Sequence, residues 1–162
     1  MAPPRKSTTD LPPPDRTLVI DNGGYTIKAG FSMPIIPALE GTQANLPTPS
    51  IIPNCLARDL HKKVYIGSQL SKCTDYTEMV FRRPVERGFL VNWEAEKEIW
   101  DQEFFDKKAP LKCDPAETGL ILTEAPNALP QLQTNCDQIV FEEYGFASYY
   151  RCAGTLCKRP NK

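Results

Sequence analysis

The segment 18–31 constrains the fold more than any other part of this sequence. It begins with the apolar run Leu18–Ile20 and continues into the turn-forming sequence Asp-Asn-Gly-Gly at 21–24. Apolar and polar residues then alternate as far as Phe31. Two apolar segments joined by an Asn-Gly turn are typical of a β-hairpin. We therefore expect a sheet that contains this antiparallel pair.

Prolines limit where helices and central strands can form. The segment 1–16 is rich in proline and polar residues, so we expect a disordered tail without the apolar stretch of a signal peptide or membrane anchor. Four prolines between 35 and 53 exclude a helix there and leave room only for an edge strand around Ser50–Ile52. The expected organisation is a folded segment 17–156 followed by a second disordered tail, 157–162.

Two later segments have the pattern of amphipathic helices. Asn92 can cap a helix from Trp93 to about Phe105, on which the aromatic side chains share one face. The second helix is expected from Leu129 to Tyr144, with a proline in its first turn and Gly145 at its end.

Charged side chains support the first of these helices. Glu94 and Glu96 lie near its positive N-terminal end, where carboxylates are favourable. The spacing of Lys97 and Asp101 predicts an ion pair on the helix surface, and that of Glu103 and Lys107 predicts a second.

Further apolar runs predict strands on either side of the helices. These are Val64–Gly67, the compact run Gly119–Thr123 and the short segment Phe146–Tyr150, whereas 81–87 contains Pro84 and is expected to be irregular. Order is expected to fade from Arg151 onward. The sequence therefore predicts an α/β fold with a mixed sheet and flanking helices.

Composition excludes several classes of function. The 162 residues suit one domain, and 19 basic against 20 acidic residues give no overall field for nucleic acid or a membrane. The six cysteines are scattered without a secretory leader, which favours reduced thiols. One histidine and no Cys-x-x-Cys pair leave no expected metal site.

The turn at 21–24 is the main candidate for a functional site. Its backbone N–H groups and the Lys28 ammonium could contact phosphates, with Asp21 facing a divalent cation. On spacing alone, a plain hairpin turn explains the same residues as well. The sequence pattern leaves both interpretations open.

Other candidates are weaker. Glu124 has no histidine or second carboxylate at a telling spacing, so a capping or surface role is expected. Cys136 lies on the apolar stripe of the second helix and is interpreted as a buried small hydrophobe. The basic clusters at 61–63, 82–83 and 158–159 are short and lack interleaved aromatic residues, which favours solvated surface.

Four strings resemble the actin superfamily in the same order and at similar spacing. They are Asp21-Asn22-Gly23 with Lys28-Ala29-Gly30-Phe31, Asn92-Trp93 with Ile99-Trp100, Leu122-Thr123-Glu124-Ala125-Pro126, and Phe141-Glu142. The resemblance spans roughly 17–150 and implies an actin-like (ribonuclease H-like) N-terminal lobe with an incomplete second half. It also implies a partial or vestigial nucleotide site, with ATP and magnesium bound in a full-length parent: Asp21, Asn22, Gly23, Gly24 and Lys28.

Three shorter strings are most similar to the subfamily of actin-related protein 6. They are Ile52–Cys55, Gly88–Trp93 and Phe141–Phe146. Members of that subfamily are non-catalytic scaffold subunits of a nuclear Swr-type chromatin-remodelling complex that exchanges a histone variant. The resemblance thus implies contacts with other subunits, indirect association with nucleosomes, a location in the nucleus and also the cytoplasm, and no membrane partner.

The sequence departs from actin at three places. Tyr25 stands where actin has glycine in its phosphate loop, and 150–154 lacks the glutamine that positions actin's attacking water. The second phosphate loop is also missing, so the face toward the second half is expected to be apolar and exposed. Two alternatives to the scaffold remain: a nucleotide-binding actin-like module and a truncated cytoskeletal actin.

Overall fold

The structure is a computed structural model that describes residues 14–32 and 48–154. The predicted tails 1–16 and 157–162 lie almost entirely outside these ranges, as does most of the predicted loop after 35. Arg16 belongs to the first strand, one residue before the predicted start of the lobe. The predicted domain boundaries otherwise stay predictions.

A five-stranded mixed sheet forms the centre of the fold. Its strands are β1 (Arg16–Asn22), β2 (Thr26–Phe31), β3 (Ser50–Pro53), β9 (Thr118–Glu124) and β10 (Ser148–Ala153). They lie in the order β10-β9-β1-β2-β3. The predicted α/β class with a mixed sheet is confirmed.

The predicted hairpin supplies the antiparallel half of this sheet. β1 pairs antiparallel with β2, and Ile20 lies opposite Ala29. β3 adds to the free side of β2 as an edge strand, where Pro53 interrupts no central ladder. β1, β9 and β10 run parallel, so their carboxyl ends meet at one edge of the sheet.

Five short strands form two smaller sheets, part of which corrects the prediction. β4 (Leu56–Arg58), β5 (Val64–Ile66) and β6 (Val80–Arg82) make one, and β7 (Val85–Glu86) with β8 (Phe89–Leu90) makes the other. The segment 81–87 is therefore mostly strand. Pro84 lies between β6 and β7 and removes no ladder bond, while Arg87 (φ 50°) and Gly88 (φ 88°) form the tight turn.

Both predicted helices are present, and each changes its pitch near its end. α1 (Trp93–Trp100) continues as a π-helical turn, Asp101–Phe105, and α2 (Pro130–Gln138) continues as a π-helical turn, Ile139–Tyr144. The Asn92 side chain accepts a hydrogen bond from the N–H of Ala95 at 3.1 Å, as its capping role predicts. Gly145, with φ 70°, ends the second helix.

Aromatic side chains join the helices to the sheet. Trp100 and Phe104 are fully buried, with ring centroids 6.2 Å apart in an edge-to-face arrangement. The predicted helix-surface pairs are wrong: Lys97 pairs with Glu143 from the second helix at 2.6 Å, and Glu103 is buried against Ser68. Contacts between elements outweigh the weak attraction within one helix.

The last strand is longer than predicted. β10 reaches Ala153 because it pairs with β9 from Gly119 to Glu124, so order does not fade at Arg151. Cys55, Cys73, Cys113 and Cys136 carry free thiols. Across 14–32 and 48–154, no helix has the length and apolar character that crossing a membrane requires.

Candidate functional site

The predicted site residues lie at the carboxyl edge of the parallel strands. There, the Thr123 hydroxyl at the end of β9 donates to Asp21 Oδ1 at 2.8 Å and accepts from the N–H of Asn22 at 3.2 Å. Gly154 follows β10 at the same edge, and a Cβ built on it would lie 3.9 Å from Asp21 Oδ1. In open α/β sheets, ligands bind at this edge.

The turn between β1 and β2 requires glycine at one of its two glycine positions. A Cβ on Gly23 would lie 2.6 Å from the carbonyl oxygen of Thr26, a distance that real side chains do not adopt. A Cβ on Gly24 would lie 3.4 Å from the Val85 side chain, which a small shift could accommodate. The close approach at Gly23 thus keeps the turn narrow.

Lys28 and Asp21 form an ion pair across the hairpin. Lys28 Nζ lies 3.2 Å from Asp21 Oδ2, and each side chain is about half exposed (48% and 47%). An ion pair this exposed is weak, so the ammonium remains available to an anion. The structure brings together the five predicted residues, although their nucleotide role stays a prediction.

The Tyr25 side chain lies at the surface next to Arg83. Its side chain is 76% exposed, and the Arg83 guanidinium lies 4.0 Å from the centroid of its ring. This cation–π contact holds the ring against the segment that precedes β7. The bulky residue at actin's glycine position is therefore accommodated outside the turn.

Asn54 holds the turn through hydrogen bonds, a role that the sequence did not predict. Its side chain is completely buried, and Nδ2 donates to the carbonyl oxygen of Gly23 at 2.9 Å and to Asn22 Oδ1 at 3.4 Å. Its N–H donates to the carbonyl oxygen of Tyr25 at 2.9 Å. An asparagine after a proline is usually a loop residue, so the sequence carried no signal for this role.

Glu96 was predicted near the N-terminus of the helix only as a favourable charge, and its burial was missed. The side chain is fully buried, and the indole N–H of Trp100 donates to Oε1 at 2.8 Å. Burial raises the pKa of Glu96 to about 7, against the smaller, opposite effect of the neighbouring Trp100, Asn54 and Asn22 side chains. Glu96 lies among other charged residues of α1, so the sequence did not predict that its side chain is buried.

Glu124 belongs to a polar network beside the turn. It accepts a hydrogen bond from Gln133 at 2.8 Å, and Arg151 Nε lies 3.3 Å from the same oxygen. Arg151 also donates to Asp137 at 2.7 Å. This network joins β9, β10 and α2, so Glu124 makes hydrogen bonds between elements and does not cap a helix.

A cavity of about 50 Å³ lies between the β7–β8 hairpin and α2. Its walls include Asn22, Trp93, Thr123 and Cys136. Burial raises the pKa of Cys136 to about 11, which keeps the thiol protonated and agrees with the predicted role as a small hydrophobe. The volume suits a few water molecules at most.

The predicted basic clusters lie at the surface where they are described. His61, Lys62 and Lys63 are exposed between β4 and β5. Arg82 pairs with Glu94 at 2.6 Å, and the cluster at 158–159 lies outside the described residues. Solvated surface therefore describes the first cluster, whereas in the second cluster Arg83 is half-buried and contacts Tyr25 and the backbone oxygen of Asn54.

The site residues fit one side of a bound ATP with magnesium. Lys28 and the turn at Gly23 could contact phosphate oxygens, and Asp21 could face the cation. No group of three or more metal-ligating side chains occurs in 14–32 and 48–154. Magnesium in proteins commonly binds one or two carboxylates and takes its other ligands from phosphate and water.

Comparison with known proteins gives one family. The family model described as Actin matches residues 13–159. The chain is 65% identical to actin-related protein 6 of Neurospora crassa over 144 residues, which are 89% of this chain and 30% of that protein. It is 51% identical to actin-like protein arp6 of Aspergillus fumigatus over 155 residues, 92% of this chain and 33% of that protein. Dictyostelium discoideum actin-related protein 6 is 36% identical over 137 residues, 84% of this chain and 25% of that protein. The chain spans about a third or less of the length of these relatives.

Proposed function

This chain belongs to the actin family, and from that premise we propose that it serves as a non-catalytic scaffold subunit of a nuclear Swr-type chromatin-remodelling complex. Its proposed partners are other subunits of that complex, through which it associates with nucleosomes during histone-variant exchange. The nucleus is its proposed main location, with the cytoplasm as a second. The similarity to proteins named actin-related protein 6 supports this choice within the family.

The residue beside Asp21 supports a non-catalytic role. Actin positions its attacking water with a glutamine soon after the second helix, and 150–154 contains none. Within that segment Gly154 lies beside Asp21, and it has no side chain that could hold a water molecule. Chemistry that depends on a positioned water would lose its orienting group there.

The surface beside the turn supports the same proposal. Tyr25 occupies a position where actin has glycine, and its ring is exposed next to Arg83. Aromatic and arginine side chains are enriched at protein–protein interfaces, so this surface favours a role in assembly.

A second candidate is a nucleotide-binding module that uses ATP to lock the fold. The narrow turn at Gly23 and the available ammonium of Lys28 favour it. In a full-length parent, the turn and Lys28 would hold the phosphates and Asp21 would face the magnesium ion. A truncated cytoskeletal actin is the third candidate, and it requires filament contacts.

Affinity purification from nuclear extract tests the scaffold. The tagged chain is used beside a Lys28→Ala variant, and mass spectrometry identifies the captured proteins. We expect remodelling-complex subunits with both versions, because the proposed assembly does not need the Lys28 ammonium. Recovery of none of these subunits contradicts the scaffold.

Calorimetric titration with Mg-ATP separates the scaffold from the nucleotide module. We expect no saturable binding to the chain. Saturable binding that Lys28→Ala abolishes, together with loss of captured subunits in the same variant, would support the nucleotide module instead. Capture of actin filaments alone would favour the cytoskeletal alternative.

A further inference from the structure

Among the described residues, the buried carboxyl group of Glu96 has a hydrogen-bond donor at only one of its two oxygens. Oε1 accepts the indole N–H of Trp100 at 2.8 Å, whereas Oε2 is buried without a hydrogen-bond partner in the described part of the chain. A carboxylate with one oxygen in this state is strongly disfavoured, because the charge has lost its water and gained too few donors.

Asn54 also has a buried oxygen, Oδ1, without a hydrogen-bond donor among the described residues. Burial raises the pKa of Glu96, and the side-chain amides of Asn54 and Asn22 lie close enough to lower it by a smaller amount. One hydrogen atom shared by these two buried acceptors would give each of them a partner.

The orientation of the Asn54 amide is fixed by the turn. Nδ2 donates to the carbonyl oxygen of Gly23 at 2.9 Å and to Asn22 Oδ1 at 3.4 Å. Rotating the amide would place its oxygen against these two acceptors. A flipped Asn54 amide is therefore excluded as a donor to Glu96 Oε2.

No described cation compensates a charge on Glu96. Arg83 donates to the backbone oxygen of Asn54 at 3.4 Å, and Lys28 pairs with Asp21. On the second helix, burial and the carboxylates of Asp101, Glu143 and Glu96 raise the pKa of Tyr144, which stays neutral. The charged and titratable groups around Glu96 thus leave it without a counter-ion.

We propose that Glu96 keeps its proton in the folded protein up to neutral pH and that its Oε2–H donates to Asn54 Oδ1. Glu96 is then a positioning residue: it fixes Asn54, and Asn54 fixes the Asn22–Gly23 turn. On deprotonation the proton goes to solvent, and the hydrogen bond to Asn54 is lost. This inference does not depend on whether the chain is a scaffold or binds a nucleotide.

Infrared difference spectroscopy tests the proton directly. The spectrum of the wild-type chain minus that of Glu96→Gln should contain the carbonyl stretch of a protonated carboxylic acid at about pH 6 and lose it at about pH 9. Glu103→Gln is the matched control, since donors from Ser68 meet that buried carboxyl group. Absence of the acid band at about pH 6 overturns the proposal.

Amide NMR of the wild-type chain tests the link to the turn without relying on a variant. The signals of Gly23 and Gly24 should shift with one apparent pKa near 7, with the same midpoint as the acid band. In Glu96→Gln, whose amide can still donate to Asn54, the signals should stay at their low-pH positions. Turn signals that do not titrate in the wild type, or titrate equally in Glu96→Gln, overturn the positioning role.

Discussion

Two buried glutamates on one continuous helix, Glu96 and Glu103, satisfy their carboxyl groups in different ways. They lie about two turns apart and are 0% and 1% exposed. Glu103 Oε1 receives hydrogen bonds from the N–H and hydroxyl of Ser68, at 2.8 and 2.7 Å. Glu96 Oε1 receives the indole N–H of Trp100, whereas Oε2 has no hydrogen-bond partner in the described part of the chain. Burial alone therefore does not determine how a carboxyl group is accommodated, because donors can satisfy one and a proton can satisfy the other.

The difference follows from what faces each side chain. Glu103 meets the start of a short 3₁₀ segment, Gly67–Lys72, where backbone N–H groups have no partner within the helix. Glu96 meets the side chains of Asn54 and Asn22, which the turn has already engaged. One glutamate therefore anchors the segment after β5, and the other anchors the turn after β1.

The largest expected effect comes from filling the space that Glu103 occupies. Gly67 has φ +52°, and a Cβ there would lie 2.5 Å from Glu103 Oε1. Gly67→Val should lower the free energy of unfolding by about 4 kcal/mol, since backbone strain adds to displacement of a buried carboxyl group. Urea unfolding measures it.

Gly88→Val is the control for that substitution. Gly88 also has positive φ (+88°), but a Cβ there would meet nothing within 4 Å. Only the backbone strain remains, so the loss should be about 2 kcal/mol. Equal losses in the two variants would mean that Glu103 moves aside easily, and the comparison between the two glutamates would fail.

The pH dependence of stability is the next largest effect, and it concerns Glu96. Its pKa rises from 4.5 to about 7 on folding, so the folded state binds more protons than the unfolded state between these values. Stability is therefore highest below the unfolded pKa and falls as pH rises through 7. The loss for the wild type should be on the order of 3 kcal/mol.

Denaturant unfolding at several pH values measures this loss, and Glu96→Gln serves as the comparison. The variant lacks the titrating group, so its stability should change much less over the same range. A wild-type profile that is flat between about pH 5 and pH 8 would contradict the assignment of a raised pKa to this group.

Loss of the helix cap should have a smaller effect and should distinguish the two ends of the helix. Asn92→Ala removes the acceptor for the N–H of Ala95 at 3.1 Å and should lower the free energy of unfolding by about 1 kcal/mol. Hydrogen exchange should increase in the first turn, next to Glu96, and leave Ser68 protected by Glu103. Equal loss of protection at both places would show that the helix responds as one unit.

The sequence predicted the elements whose signal is local. The hairpin followed from the turn at 21–24 and the alternation after it, and the start of α1 followed from Asn92 as a cap. The residues that form the site through long-range contacts were different. Nothing around Asn54 predicts burial, because its partners at 22 and 23 are far along the chain. Glu96 lies among charged residues, so only the packed structure separates it from its exposed neighbours.

The same distinction explains which contacts were predicted wrongly. Lys97 has a carboxylate four residues away on its own helix, yet it pairs with Glu143 at 2.6 Å because α1 packs beside the second helix. Pro84 predicted irregular chain, but it lies between two strands and leaves both ladders intact. Local patterns predict where elements form, whereas packing decides which side chains meet.

The smallest expected effect comes from the exposed pair at the same turn, Lys28 and Asp21. Both side chains are about half exposed, so water screens their attraction at 3.2 Å. Lys28→Ala should change the free energy of unfolding by less than about 0.5 kcal/mol, and salt should reduce even that difference. Denaturant unfolding at low and high ionic strength measures it. A loss above about 1 kcal/mol would show that the turn depends on this ion pair as well as on Asn54, and Glu96 would then no longer be its main anchor.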